Sequence, residues 1–357
     1  MAHHAVQPGV NDDRSRGRRK LFALGFLVVF LVSARHIPTG CLVISPGAVL
    51  PLAAQVTVRP LGSLPSDAGP SDAGDVLLLT VVAQRANLYQ LALAASGLSG
   101  PATIMLESQM TPPGMNPSEH IGAGQAQMNE SKGLGAYLAL REAGESADCD
   151  GRGARVLAVY QGGSAADGQS LQVGDLIIAV NGSSVELSGD VAAILRRRSP
   201  DDVVTLTVVR QVREQAIGVR LGNAVSGAQE AMLGVMLLSE EPRFRLSRQV
   251  VVDTAGIRGP SGGLAIALAV YQALGVEDIL RGRIVAASGY VRRDGTVGPV
   301  GGSELKAVAA SRAGADILLV ARGNVEQAAA AAPGLMIVGV DSFQQALEIL
   351  RRGVNRN

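Results

Sequence analysis

Gly259-Pro260-Ser261-Gly262-Gly263, followed by an apolar run from Leu264 to Leu274, decides the reading of this chain. Glycine and proline set a serine on a sharp turn, and the run after it has helical character. The Ser261 hydroxyl is thereby placed at a helix N-terminus, where backbone N–H groups can hold a developing oxyanion. A nucleophilic serine needs a base, and all four histidines (His3, His4, His36, His120) precede the motif. Lysine is the remaining candidate. Only Lys20, Lys132 and Lys306 are lysines among 32 Lys+Arg, and Lys306 closes Gly301-Gly302-Ser303-Glu304-Leu305-Lys306. Arginine keeps its proton in a protein, whereas a desolvated lysine can lose it. The reference pKa of about 10.4 must fall by roughly three units for action near neutrality. The apolar segments 284–287 and 317–320 are suited to cause that fall. Either motif alone also reads as an ordinary turn or as an exposed lysine on an alanine-rich helix; together, in this order, they favour a serine–lysine pair.

Composition bounds the rest. At 357 residues, 47% apolar, with 44 glycines and no tryptophan, the chain can hold two ordinary domains with aliphatic cores. A net charge of +1, without interleaved basic and aromatic residues, gives no reason to expect nucleic acid. Cys41 and Cys149 are too few for a disulfide framework or a zinc site, so neither metal nor cofactor is expected. No G-x-x-x-x-G-K-[ST] segment occurs.

Residues 1–20 form a polar, basic tail. Leu21 to Ala34 is uncharged and closed by Arg35 and His36. As a helix these residues span about 21 Å, short of a hydrocarbon core of about 30 Å, but snorkelling of Lys20 and Arg35 and extension to Ile37 make a short transmembrane anchor over 21–37 feasible. The basic flank then places the N-terminus in the cytoplasm and the rest outside. Release by cleavage after Val32-Ser33-Ala34, or lipidation at Cys41, are the alternatives. Residues 38–74 read as an extended segment and linker, with a tandem Pro-Ser-Asp-Ala-Gly repeat. The run from Val76 to Val82 is a buried-strand pattern, and Ala126 to Arg141 has helical signals weakened by Gly133 and Gly135.

Residues 150–221 have the pattern of a compact strand-rich module. Ala154 to Tyr160 alternates as a strand, Leu171-x-x-Gly174-Asp175-Leu176-Ile177-Ile178-Ala179-Val180-Asn181-Gly182 ends in a tight turn, and Ser188 can cap a helix. This series resembles a PDZ domain. The resemblance implies binding of peptide C-termini beside a groove helix, with Val191, Ile194 and Leu195 lining the groove and Gly151, Gly153 and Ala154 in the carboxylate loop.

The stretch from Val250 to Leu350 resembles the proteolytic domain of Lon-type proteases, through residues 259–264, 295–306 and 309–315. The whole chain resembles bacterial membrane-anchored, PDZ-containing Lon-like proteases. This implies an α/β (α+β) proteolytic fold with Ser261 as nucleophile, Lys306 as base, and Ser288 hydrogen-bonded to the lysine; Gly259, Pro260 and Gly262 shape the turn. Threonine is commoner at position 288 and alanine at 262. Residues 75–145 resemble the first part of the same fold, so the 150–221 module reads as an insertion into a protease domain resumed at 222–352. The function implied is ATP-independent endopeptidase activity at the membrane on protein or peptide substrates. A catalytically silent binding scaffold is the alternative, and a homo-oligomer is left open.

Overall fold

The structure is a computed structural model and describes residues 29, 32–62, 74–160, 171–223 and 231–353. The expected anchor over 21–37 and the repeat within the expected linker lie largely outside these, but residues 38–60, expected as extended segment and linker, instead supply two strands paired into the fold; among the described residues no helix is long and apolar enough to cross a membrane. In chain order come strands β1 (Pro38–Pro51), β2 (Val56–Pro60) and β3 (Asp75–Asn87), helix α1 (Leu88–Ala95), β4 (Thr103–Leu106), the single turn α2 (Glu107–Met110) and the long helix α3 (Pro117–Glu142). Next are β5 (Ala147–Asp150), β6 (Ala154–Val159), β7 (Leu176–Val180), β8 (Ser183–Ser184), α4 (Ser188–Leu195), β9 (Val203–Arg210), β10 (Arg213–Arg220), β11 (Gly222–Asn223), β12 (Ala231–Met232) and β13 (Val235–Ser239). The last third holds β14 (Arg243–Leu246), β15 (Arg248–Val252), α5 (Gly263–Ala273), β16 (Ile284–Ser288), β17 (Tyr290–Val291), β18 (Val297–Gly298), α6 (Ser303–Arg312), β19 (Ile317–Ala321), α7 (Val325–Ala331), β20 (Met336–Val340) and α8 (Phe343–Arg352).

Two compact units are present, one of residues up to Ser45 with Ala83–Glu107, the other of Pro46–Val82 with Ser108 onward. In the smaller, the first half of β1 pairs antiparallel with β4, Cys41 facing Leu106, and Asn87 caps α1 in a capping box with Gln90.

The larger unit contains two separate cores. Parallel strands β20, β19, β16 and β3 run in that order, with β1 beyond β3. Strands covered on both faces need near-continuous apolar runs, and β16 (IVAAS), β19 (ILLVA) and the start of β3 supply them. Alternation along β3 shows the two covers. Leu77 and Leu79 pack with Ala307 and Ala310 of α6, whereas Val76 and Leu78 join the core containing Leu264 and Leu268 of α5. Helix α5 is apolar around its whole circumference and is buried from Gly263 to Tyr271, as such a helix must be.

Helix α3 lies against α5 and begins nine residues earlier than the sequence pattern indicates, at Pro117 instead of Ala126. Asn116 and Glu119 form a capping box with Pro117 in the first turn, a start signal in the side chains themselves. The two glycines that weaken its helical pattern are sites of close approach: a Cβ at Gly133 would strike the Phe244 ring, and one at Gly135 would come within 2.8 Å of Ile266 Cγ2.

The second core is that of the strand-rich module, with strand order β10-β9-β7-β6-β13 around Val156, Ile177, Leu206, Val208 and Leu233. The expected boundary at 221 is too early. Edge strand β13 pairs with β6, and Leu233 is buried in the module core, so the unit extends to about Glu240. The strands that enter and leave it pair with one another: β5 and β14 run antiparallel, Asp150 opposite Arg243. Arg243 and Arg245 both bind Asp150 across this neck, at 2.9 and 2.5 Å.

Candidate active site

Ser261 lies in a 3-10 turn, Pro260–Gly262, that runs directly into α5. Gly259 has φ +90°, a conformation that glycine adopts without strain, and proline follows at the first turn, where its missing N–H costs nothing. Four hydrogen bonds fix the turn and the start of the helix after it. The Gly259 N–H donates to Gly124 O of α3 at 2.8 Å, and the Ser131 hydroxyl of α3 donates to Pro260 O at 3.2 Å. The Gly289 N–H donates to Ser261 O at 2.9 Å, while Leu264 N–H returns a bond to Gly289 O at 3.1 Å.

Those bonds register the serine turn beside the end of β16. Ser288, next to Gly289, is 1% exposed, and its Oγ accepts a hydrogen bond from Lys306 Nζ at 3.2 Å. Lys306 projects from the first turns of α6 and is itself 3% exposed. Burial pulls its pKa down to about 8, against an opposing pull from Glu304. A substantial fraction of the amine is therefore neutral at mildly alkaline pH, as a general base requires. Among the described residues no hydrogen bond joins Ser261 Oγ to Lys306 Nζ. Catalytic hydrogen bonds often tighten only with substrate.

Gly262, where alanine is usual in the family resembled, has a local cause. A Cβ there would come within 2.6 Å of Leu78 Cδ1, and Leu78 is 1% exposed in the core. The leucine of β3 occupies the space that an alanine methyl would need.

Burying a lysine has a stability cost with a definite sign. The folded pKa lies below the ordinary value of 10.5, so the cost of folding with a charged amine is full below about pH 8. It shrinks as pH rises from about 8 to 10.5, and vanishes above that. Lys306→Met is expected to stabilise the fold by about 2–3 kcal/mol at pH 7, with the gain disappearing by pH 10.5. Urea denaturation of both proteins across that range measures it; a gain independent of pH would show that the lysine is not desolvated.

The expected groove residues of the module are placed less favourably. Gly151, Gly153 and Ala154 cannot form a carboxylate loop, because their neighbourhood is already closed. Arg152 N–H donates to Glu240 O and Gly153 N–H to Glu186 O, while Ala154 is wholly buried between β13 and β7. Val191 and Leu195 are buried in the module core; only Ile194 of the three is partly exposed. What the sequence reading missed is β13. It is the edge strand of its sheet and packs beside α4. An edge strand offers unpaired N–H and C=O groups to which an extended peptide can add. Gly234, with φ +68°, precedes it. The apolar run Val235 to Leu238 after a glycine was the available signal.

Comparison with known proteins divides the chain in the same way. A family profile described as PDZ domain matches residues 125–209, and one described as Lon protease (S16) C-terminal proteolytic domain matches 253–349. The chain therefore carries a PDZ domain and a Lon-type proteolytic domain. The first match begins inside α3, whose buried residues belong to the other core, so the module is better bounded by its own core than by the match. A probable periplasmic serine endoprotease, DegP-like, from Hahella chejuensis (strain KCTC 2396) is 38% identical over 71 residues. That is 20% of this chain and only 15% of the relative's length. Among solved structures, the PDZ domain of an SdrC-like protein from Listeria monocytogenes is 21% identical, covering 24% of this chain and 87% of that one with TM-score 0.22. Its counterpart from Listeria innocua is 22% identical, covering 24% and 92%, again with TM-score 0.22.

Proposed function

We propose that this chain is a serine endopeptidase in which Ser261 attacks the peptide bond and Lys306 takes its proton. One observation carries the reading: a lysine buried to 3% exposure, its Nζ donating to Ser288 Oγ in the residue next to Gly289, which is hydrogen-bonded to the serine's own carbonyl. Donation to Ser288 leaves the lone pair of a neutral amine available for the serine proton. The Ser261 turn opens a helix, whose dipole sets partial positive charge beside the tetrahedral oxyanion. The Lon-type match over 253–349 supports the same chemistry. The sequence contains no P-loop, so cleavage is expected without added nucleotide.

The PDZ module supplies selection. Its substrates would be protein or peptide tails with apolar C-termini, added as a strand to β13 and covered by α4. Insertion of the module between β5 and β14 would tether a bound tail close to the protease and raise its effective concentration. The apolar run at 21–34 and its basic flank support a membrane anchor with the catalytic part outside the cytoplasm. A binding scaffold without catalysis is favoured by one feature, the missing Ser261–Lys306 hydrogen bond.

Cleavage of an unstructured protein by wild type, Ser261→Ala and Ser288→Ala distinguishes the two. Removing the Ser288 hydroxyl should slow turnover by about ten- to a hundredfold, since one hydrogen bond to a catalytic group is worth roughly 1.5–3 kcal/mol. Wild-type turnover by Ser288→Ala would reduce Ser288 to a packing residue. Cleavage that persisted in Ser261→Ala would remove the serine assignment.

A further inference from the structure

Ser239 ends strand β13, the edge against which a peptide tail would lie, and it is 6% exposed. Its hydroxyl oxygen accepts the backbone N–H of Ser188, the first residue of α4, at 2.7 Å. Both walls of the groove therefore meet at one oxygen. The same hydroxyl donates to Glu130 Oε1 of α3 at 2.6 Å. Glu130 is 5% exposed, and burial pushes its carboxyl pKa up, so it sits there at a cost that a merely solvated glutamate would not carry. Its neighbour on α3, Ser131, is 2% exposed and donates to Pro260 O, the peptide oxygen immediately before Ser261. Ser239, Glu130 and Ser131 thus join the groove to the serine turn, through a buried hydrogen bond at Glu130 and a part-buried one at Pro260.

A second set of contacts joins α4 to the segment around β17. Arg293, just past β17, pairs with Glu186 and, at 3.1 Å, with Asp190 in the first turn of α4. A Cβ at Gly189 would come within 2.6 Å of the Tyr290 hydroxyl, so α4 abuts β17 closely. The groove helix is fixed against the strand that follows Ser288 and Gly289.

We propose that Ser239, Glu130 and Ser131 form a relay through which a C-terminal peptide seated on β13 orders the Pro260–Ser261 turn, so that groove occupancy raises the turnover number instead of only tethering substrate. The inference rests on the protease reading for its kinetic consequence, but its structural step can be read without catalysis. A strand added to β13 restrains Ser239 in the bonded position; this strengthens its hold on Glu130 and, through the helix backbone, the bond from Ser131 to Pro260. A ligand shifts a distant site only by binding its two states unequally, and here the bonded state of Ser239 is the one the added strand favours. Glu130 and Ser131 are positioning residues; neither touches the scissile bond.

The test uses the full chain, a short internally quenched substrate with an amidated C-terminus, and an acetylated hexapeptide ending in a free valine carboxylate as groove ligand. The hexapeptide should raise kcat on the short substrate about fivefold or more, saturably, and its amidated twin should not. Glu130→Met keeps the volume but removes the acceptor; it should bind the hexapeptide, read by fluorescence anisotropy, yet lose the rise. Glu130→Gln retains an acceptor oxygen and should keep it. An equal rise in Glu130→Met, no rise in wild type at saturation, or no binding of the hexapeptide would each overturn the relay. If wild type cleaves nothing, the protease reading fails separately, and amide hydrogen exchange of residues 259–264 decides the relay. Slower exchange on peptide binding in the wild-type sequence and not in Glu130→Met supports it; unchanged exchange in both overturns it.

Discussion

Lys306→Arg is expected to abolish peptide cleavage, with kcat/KM falling by at least about a thousandfold, although the positive charge and most of the side-chain volume are kept. The reason is protonation. A guanidinium holds its proton at any usable pH, so it cannot accept one from Ser261. The native amine gives up its proton more readily, because it is buried to 3% exposure on a helix packed against the apolar strands β16 and β19, with the Ser288 hydroxyl as its hydrogen-bond partner. Burial brings its pKa to about 8, so wild-type activity should rise with pH through that value before reaching a plateau. Arginine in the same site would also bury a charge that cannot be relieved by deprotonation, so circular dichroism must accompany the assay. Lys306→Met, expected to be more stable and equally inactive, separates lost chemistry from lost folding. Near-wild-type turnover in the arginine variant would exclude Lys306 as the base.

The second large effect concerns architecture. Leu78→Asp should unfold the protease half even though Ser261, Ser288 and Lys306 are untouched. Leu78 belongs to β3, which pairs in parallel with β16, the strand that ends at Ser288. It is 1% exposed and lies against Gly262. An unpaired carboxylate there costs well over 4 kcal/mol, comparable to the whole stability of many domains. Excision of the module should behave in the opposite way. Asp150 and Arg243 face each other on paired strands, so an Asn-Gly turn joining them converts β5 and β14 into an ordinary hairpin. The shortened protein should unfold cooperatively in urea and still carry its serine–lysine pair, while losing preference for apolar tails. Failure of the excised protein to fold would show that the module is part of the protease core and not an insertion into it.

How much of this was legible depended on whether the signal was local. The serine turn was readable because Gly259, Pro260 and Ser261 each state their own backbone requirement, and the lysine because the chain otherwise uses arginine. The run from Val76 to Val82 reads as a strand needing cover on both faces, and the structure buries it only as far as Leu79, with Val82 exposed. Gly133 and Gly135 were not readable: helix propensity counts them as faults, and their purpose lies in Phe244 and Ile266, on other elements. The start of α3 was missed although Asn116, Pro117 and Glu119 announce it, because the apolar period begins only later. The module's edge strand was hidden for a topological reason: β13 follows the rest of the module in sequence, past residue 221, and only the pairing of Val235 with Val159 reveals it. The relay through Glu130 and Ser239 has a sequence separation of 109 and no local mark.

Activation of Ser261 by a neutral, buried Lys306 is open to direct measurement. Mass spectrometry after reaction with a serine-directed fluorophosphonate tests it most directly, on wild type, Ser261→Ala and Lys306→Met, at a series of pH values. A single adduct on Ser261 is expected in wild type, with a labelling rate that rises through about pH 8, and none in either variant. Labelling of Ser261 at the same rate in Lys306→Met, or an adduct on a different serine, would contradict it.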